Sequence, residues 1–257
     1  MSKIGDVIKI IEEFAPLENQ AHYDNCGLLY GDPSWELKGA LVTLDTSVSV
    51  VNEAISKGAN LIIEHHPSIF MPIKKIDLSY PKHKAIALAI KNDIAIYSAH
   101  TSIDFAVGGL NDRVMELLGC KEYYIPSDRL DDMRIGVLEV GCKLSTLVER
   151  VGKTFNDKHV AFVGDSDNEI KTIAVINGGG GSQEGTLLEA IRCKADVFIS
   201  GDFKYNVLRL AKDLGYNVIV FGHYDSETPF MDLVKNKLID NNIQNVHGAT
   251  SCTNPLN

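Results

Sequence analysis

Short apolar runs alternate with helix-period segments along this chain, and most of the runs end in polar, chemically useful residues. Ala40-Leu41-Val42-Thr43-Leu44-Asp45, Leu61-Ile62-Ile63 and Ile94-Ala95-Ile96-Tyr97-Ser98 read as strands buried on both faces. Between and before them lie helical patterns. Ile4, Val7, Ile8, Ile11 and Phe14 recur at helical spacing up to Pro16. A second helix is expected from about Val48 to Lys57, closed by Gly58, and a third from about Lys82 to Lys91. This β-α-β-α-β order predicts a parallel or mostly parallel sheet covered by helices.

The second half repeats the theme. Strands are expected at Ile135–Val140, Val160–Val163, Ile173–Ile176, Val197–Ile199 and Val218–Phe221, with an edge strand over Ile243–Val246. Helices are expected over about Leu144–Phe155, Gln183–Cys193, Asn206–Leu214 and Pro229–Asp240. The pattern predicts an α/β protein of two related lobes with mostly parallel sheets. Residues 1–125 would form the first and 126–227 the second, with the weak boundary in the polar, Pro126-containing stretch Ile125–Asp132. The segment 228–257 would pack back on the first lobe.

The chain has 257 residues, 45% hydrophobic and 23% charged, which excludes a disordered chain, a collagen-like chain and a disulfide-stapled mini-protein. A formal charge of −9 argues against a generic basic surface for nucleic acid or acidic lipid, although a local basic patch remains compatible with it. The cysteines Cys26, Cys120, Cys142, Cys193 and Cys252 are scattered, with no C-x-x-C pair, as expected of reduced thiols in a cytosolic protein. The N-terminus shows no signal core and no run approaches bilayer length, so a soluble, cytoplasmic protein without membrane contact is expected.

Polar residues collect just after the strands. His65 and His66 follow one, His100 and Asp104 another, Gly201-Asp202 a third, and His223 and Glu227 a fourth. Ligands of open α/β sheets bind outside the carboxyl ends of the strands, so these groups can meet on one face. Imidazole and carboxylate are ligands for zinc, manganese, iron or cobalt. Neighbours on extended backbone point apart, so the His65-His66 doublet suits two metals better than one, and Pro67 favours that extended backbone. Glu227 has the shape of a bridge. Each group also has a plainer reading. The doublet can be a polar strand end, and His100 with Asp104 a loop hydrogen bond or helix cap. Glu227 can simply favour the start of the last helix. The run Gly178-Gly179-Gly180-Gly181-Ser182 can cradle an anion or make a tight turn against another backbone. Lys204 and Tyr205 can contact an anionic ligand or be solvated, and nothing near Cys26 marks an activated thiol.

Together these strings resemble a known family. Glu64-His65-His66-Pro67, His100-Thr101-Ser102-Ile103-Asp104 and Gly222-His223-Tyr224-Asp225-Ser226-Glu227 are similar to the dinuclear metal-centre family. It is also called NIF-three-like or YbgI-like, and many of its members are named GTP cyclohydrolase 1 type 2. Tyr23-Asp24-Asn25-Cys26-Gly27-Leu28 resembles its N-terminal loop, with Tyr23 where tryptophan is usual; the glycine run and Ser200-Gly201-Asp202 also match. The resemblance covers nearly the whole chain.

It implies two lobes with a dinuclear metal cleft between them, and a toroidal homohexamer. Carried over position by position, His66 and Asp104 would bind one metal, His65 and His223 the other, and Glu227 would bridge. Lys204-Tyr205-Asn206 departs from the family, where many members place histidine. The expected function is a metal-dependent hydrolase using two divalent ions on a nucleotide-like substrate, GTP by the family name. Asp24, Asp202, His100 and Tyr205 are the candidates for moving protons beside Glu227. The alternatives are a non-enzymatic metal-binding ring scaffold for protein or nucleic-acid partners, and metal storage or delivery.

Overall fold

The computed structural model describes residues 2–126 and 132–256. They divide into two compact units, Met1–Gly109 with Phe230–Asn257, and Leu110–Pro229.

The first unit holds α1 (Ile4–Phe14), β1 (Gly27–Tyr30), β2 (Ala40–Thr43), α2 (Val48–Ser56), β3 (Leu61–Glu64), α3 (Pro81–Lys91), β4 (Ala95–Ser98) and α4 (Thr101–Phe105). Its sheet runs β1-β4-β3-β2 and then a C-terminal strand. β2, β3 and β4 are parallel neighbours, and β1 pairs antiparallel with β4. Every residue of β2, β3 and β4 is buried, which is why they read as continuous apolar runs rather than alternating ones. Leu41, Ile62 and Ile96 stack against Val50, Val51 and Ala54 of α2 and Ala85 and Ala89 of α3. Burying each large aliphatic side chain in such a cluster contributes about 1.5–3 kcal/mol. Ser47 caps α2 by accepting from the Val50 amide at 3.3 Å.

The second unit holds α5 (Leu110–Leu118), β5 (Cys120–Tyr124), β6 (Arg134–Lys143), α6 (Leu144–Phe155), β7 (Ala161–Val163), β8 (Glu169–Ile176), α7 (Glu184–Arg192), β9 (Val197–Ser200), α8 (Tyr205–Leu214), β10 (Asn217–Val220) and α9 (His223–Glu227). Its strand order is β5-β6-β8-β9-β10-β7. The central trio β8-β9-β10 is parallel, and β5, β6 and β7 join antiparallel on its two sides. The chain then returns to the first unit as α10 (Pro229–Asp240) and β11 (Val246–Gly248), which lies parallel to β2.

The units part at Gly109 rather than near residue 125, because residues 120–124 are a strand bonded to β6 and α5 packs beneath it. Residues 127–131 of the stretch expected to hold the boundary lie outside the described residues. Among those described, no helix is long and apolar enough to cross a membrane.

Two polar contacts fasten these units internally. In the second, the fully buried Arg134 guanidinium pairs with Asp112 of α5. In the first, Glu53 of α2 accepts from the amides and hydroxyls of Thr250 and Ser251, at 2.6–3.0 Å, and from Lys57 at 3.0 Å. Burial works against the Glu53 charge, but these donors outweigh it and draw its carboxyl down from 4.5 to about 2.

Two outcomes follow. Asp112→Ala removes the carboxylate that faces a buried guanidinium and should lower stability by about 3–5 kcal/mol in urea denaturation. Glu53→Gln should narrow its stability gap to wild type as pH falls. A carboxylate whose pKa is depressed on folding contributes fully above about 4.5 and loses that contribution on the way down to about 2. Urea midpoints at pH 7 and pH 3 measure the gap.

Candidate metal centre

Parallel pairing brings the carboxyl ends of β2, β3 and β4 level. Thr43 pairs with Glu64, and Glu64 with Ser98. The ladder continues one step beyond each strand, with the His65 amide donating to Thr43, His66 to Leu44 and Ala99 to Glu64. Asp45, the His65-His66 doublet and His100 therefore emerge side by side. Ring centroids lie 5.0 Å apart for His65 and His66, 5.1 Å for His65 and His100, and 5.6 Å for His66 and His100. One nitrogen from each of the three rings falls within 4.8 Å of the others. The doublet does not send its rings to opposite sides, because β3 ends at Glu64 and the backbone bends there.

Each ring is oriented from behind. His65 Nδ1 lies 3.0 Å from the Ala99 carbonyl, His66 Nδ1 3.2 Å from Asp45, and His100 Nδ1 2.9 Å from Asp24. A carbonyl or carboxylate can only accept, so Nδ1 carries the proton and Nε2 is the nitrogen with the lone pair. Partners that hold a ring in this way are the usual second layer of a metal site. Asp104, on α4, places Oδ1 3.7 Å from His65 Nε2. Phe230 packs on the His65 ring at 4.8 Å.

Asp24 is held as firmly as the histidine it orients. Burial opposes its charge. The hydrogen bond and charge of His100, the Thr101 hydroxyl and the Asn25 amide overcome that and keep the carboxyl well below the usual range. It also accepts from the Thr101 amide at 3.0 Å. The Cys26 thiol sits 3.3 Å from Asp24, and burial pushes its pKa up to about 11, so it stays a thiol rather than a nucleophilic thiolate. Burial likewise lifts the Glu64 carboxyl to about 7; its Oε1 accepts from the Ser68 amide at 2.6 Å and pins the chain just past the doublet.

In the second unit the parallel strands β8, β9 and β10 again end level, with Ile176 paired to Ser200 and Ser200 to Val220. His223 and Glu227 are four residues apart on α9, with Nε2 and Oε1 3.1 Å apart. His223 Nδ1 lies 2.7 Å from Asp202. With its proton on Nδ1, the Nε2 lone pair faces a carboxylate oxygen, an arrangement that a divalent cation shared by the two would satisfy. The His65, His66 and His100 nitrogens of the first unit form a group that could hold a metal ion.

The glycine run serves this second cluster. Gly178 adopts φ +56, and a side chain there would collide with Glu227 Oε1. The Gly178 amide donates to Ser226, Gly181 to Ser200, Gly180 to Asn177 and Ser182 to Gly179. With these amides spent on the Ser226 and Ser200 hydroxyls and on the loop's own carbonyls, the run is a tight turn against the His223 and Glu227 side chains rather than a phosphate cradle.

Of the residues singled out in the sequence, His65, His66, His100, Asp104 and Asp24 meet in the first unit, and His223, Glu227 and Asp202 in the second. Tyr205 is 82% exposed at the start of α8, beside the exposed Lys204, and takes no part in the second cluster. Asp45 escaped the sequence reading. Its position just past a strand end, the rule that picked out the histidines, was the available signal.

The family model for Duf34/NIF3 (NGG1p interacting factor 3) matches residues 2–255. A Clostridium perfringens protein named GTP cyclohydrolase 1 type 2 homolog is 34% identical over 241 residues, covering 92% of this chain and 91% of its own. A hypothetical protein of Staphylococcus aureus has a similar structure, with a TM-score of 0.89, 27% identity, and 99% and 98% of the two chains covered. Reduced HcgD from Methanocaldococcus jannaschii superposes with a TM-score of 0.84 at 29% identity over 96% of this chain and 98% of its own. The chain belongs to the Duf34/NIF3 family.

Proposed function

We propose that this protein is a metal-dependent hydrolase of a nucleotide-like substrate, with two divalent ions held by His65, His66, Asp104, His223 and Glu227. The observation that carries the reading is the shared orientation of the histidines. His65, His66 and His223 each engage Nδ1 with an acceptor, which leaves Nε2 as the ligand nitrogen. A bound metal pair supplies Lewis acidity and lowers the pKa of water, as hydrolysis at neutral pH requires. The protein's own part is to hold the rings. Asp45 and Asp202 keep the Nδ1 protons of His66 and His223 in place and raise the basicity of the nitrogens that bind. His100, backed by the ionised Asp24, is the side chain best placed to hold or pass a proton beside His65 and His66. The names of curated relatives point to GTP as the first substrate to try.

A second reading keeps the ligand set but makes the protein a metal-binding scaffold. The family description, which names an interacting factor, favours it. Turnover separates the two. Metal-loaded protein is incubated with GTP and a panel of nucleotides and phosphoesters, and products are read by mass spectrometry. Metal-dependent turnover that Glu227→Ala abolishes supports the hydrolase, and formate release with a ring-opened triphosphate supports GTP itself. Full metal occupancy with no turnover on any substrate favours the scaffold. By elemental analysis, Glu227→Ala should lose most of its metal; wild-type metal content in that variant would remove Glu227 from the ligand set. Asp202→Ala and Asp45→Ala, which release the rings of His223 and His66 without removing a ligand, should weaken zinc affinity by about 10–100-fold in chelator competition.

A further inference from the structure

A pair of aromatic rings stands at the edge of the first histidine cluster, and neither its burial nor the ligand set accounts for it. Tyr23 is 59% exposed and Phe70 40% exposed, with centroids 6.5 Å apart and planes inclined at 56°. Phe70 also meets the His100 ring edge to face, at 6.4 Å and 84°. The two rings come from different loops, Tyr23 from the one that carries Asp24 and Phe70 from the long β3–α3 connection that starts with the histidine doublet.

That connection is held in place near its start. Asn25 Nδ2 donates to the Ile69 carbonyl at 2.6 Å, and the Ser68 amide donates to the buried Glu64. These bonds fix the backbone on either side of Ser68 and so set where Phe70 projects. Exposed aromatic faces gain little from folding. Large aromatics held beside polar donors are instead how proteins seat planar rings, since every nucleobase offers a π-face. Long structured loops of this kind are commonly binding elements.

We infer that Tyr23 and Phe70 form a stacking platform for the planar heterocycle of the substrate, and so set its ring specificity. This rests on the proposed function, which locates the metal ions at His65, His66, Asp104, His223 and Glu227, with His100 beside them. It adds that the substrate is an aromatic-ring compound, a purine nucleotide being the fitting class, and that its ring rather than its phosphates lies on the Phe70 side. Both residues are positioning groups that touch substrate without joining the chemistry.

The test is equilibrium dialysis of the full chain with two probes, guanosine and inorganic tripolyphosphate. The Tyr23→Leu/Phe70→Leu double variant should bind guanosine about tenfold more weakly or worse, with tripolyphosphate binding unchanged. Phe70→Trp should keep guanosine binding, and its new fluorescence should be quenched by guanosine but not by tripolyphosphate. Thermal melts show that the variants are folded, as expected for exposed positions. Equal guanosine binding by wild type and the double variant overturns the inference, as does a wild type that does not bind guanosine. It also fails if the double variant loses only self-association in sedimentation, because the rings would then be a contact between copies. Metal content and turnover on the same samples keep the two ideas apart. Metal-dependent turnover without ring-dependent binding removes the platform and leaves the hydrolase, whereas ring-dependent binding to a protein that takes up no metal removes the hydrolase.

Discussion

Thr43 pairs with Glu64 and Glu64 with Ser98, and on this parallel register the histidine cluster depends. Parallel strands end at the same edge of a sheet, so whatever residues follow them are delivered together. A shift of one residue in β3 would exchange the faces of its side chains and carry His65 and His66 away from Asp45 and His100. The buried aliphatics of β2, β3 and β4 enforce the register, since any slip would move them out of their packing against α2 and α3. Hydrophobic burial far from the site thereby sets distances between groups that have no strong attraction for one another.

Once delivered, the rings are turned to a common use by their partners. Asp45, Asp24, Asp202 and the Ala99 carbonyl each face an Nδ1. Three of the four are carboxylates, and a carboxylate stabilises the histidine it faces as well as fixing its tautomer. The most enclosed of them, Asp24, is kept ionised only by a full set of donors. The second unit reaches a similar end with different means. There, an i,i+4 pair on a five-residue helix is backed by a turn so close that only glycine fits at 178. The glycines at 178 and 201 are thus consequences of bringing backbone up to the His223–Glu227 pair, and their clustering says nothing about phosphate.

Much of this was legible in the chain. The apolar runs marked β2, β3 and β4 because they are buried on both faces, and the polar residues at their ends marked His65, His66, His100 and Asp104. Glu227 and His223 were marked by the same rule. The α/β class follows from the alternation of period, which is a local property. What local pattern could not reveal was which strands are neighbours. Residues 120–124 show no clear period and were not read as a strand, and only their pairing to β6 assigns them to the second unit. Asp45 looked like the end of a strand until β2 was seen beside β3. The divergence expected of His65 and His66 assumed extended backbone, and the chain bends at that point instead.

The sequence by itself therefore determined the α/β class, most of the buried strands and longer helices, and which histidines and carboxylates follow strand ends, because periodicity and side-chain chemistry are written residue by residue. Only the tertiary structure decided which carboxylate stands behind which imidazole, why glycine occupies position 178, and that Phe70 sits beside His100. Those are contacts between segments distant along the chain, set by strand order and close packing, and neither is encoded in any one stretch of residues.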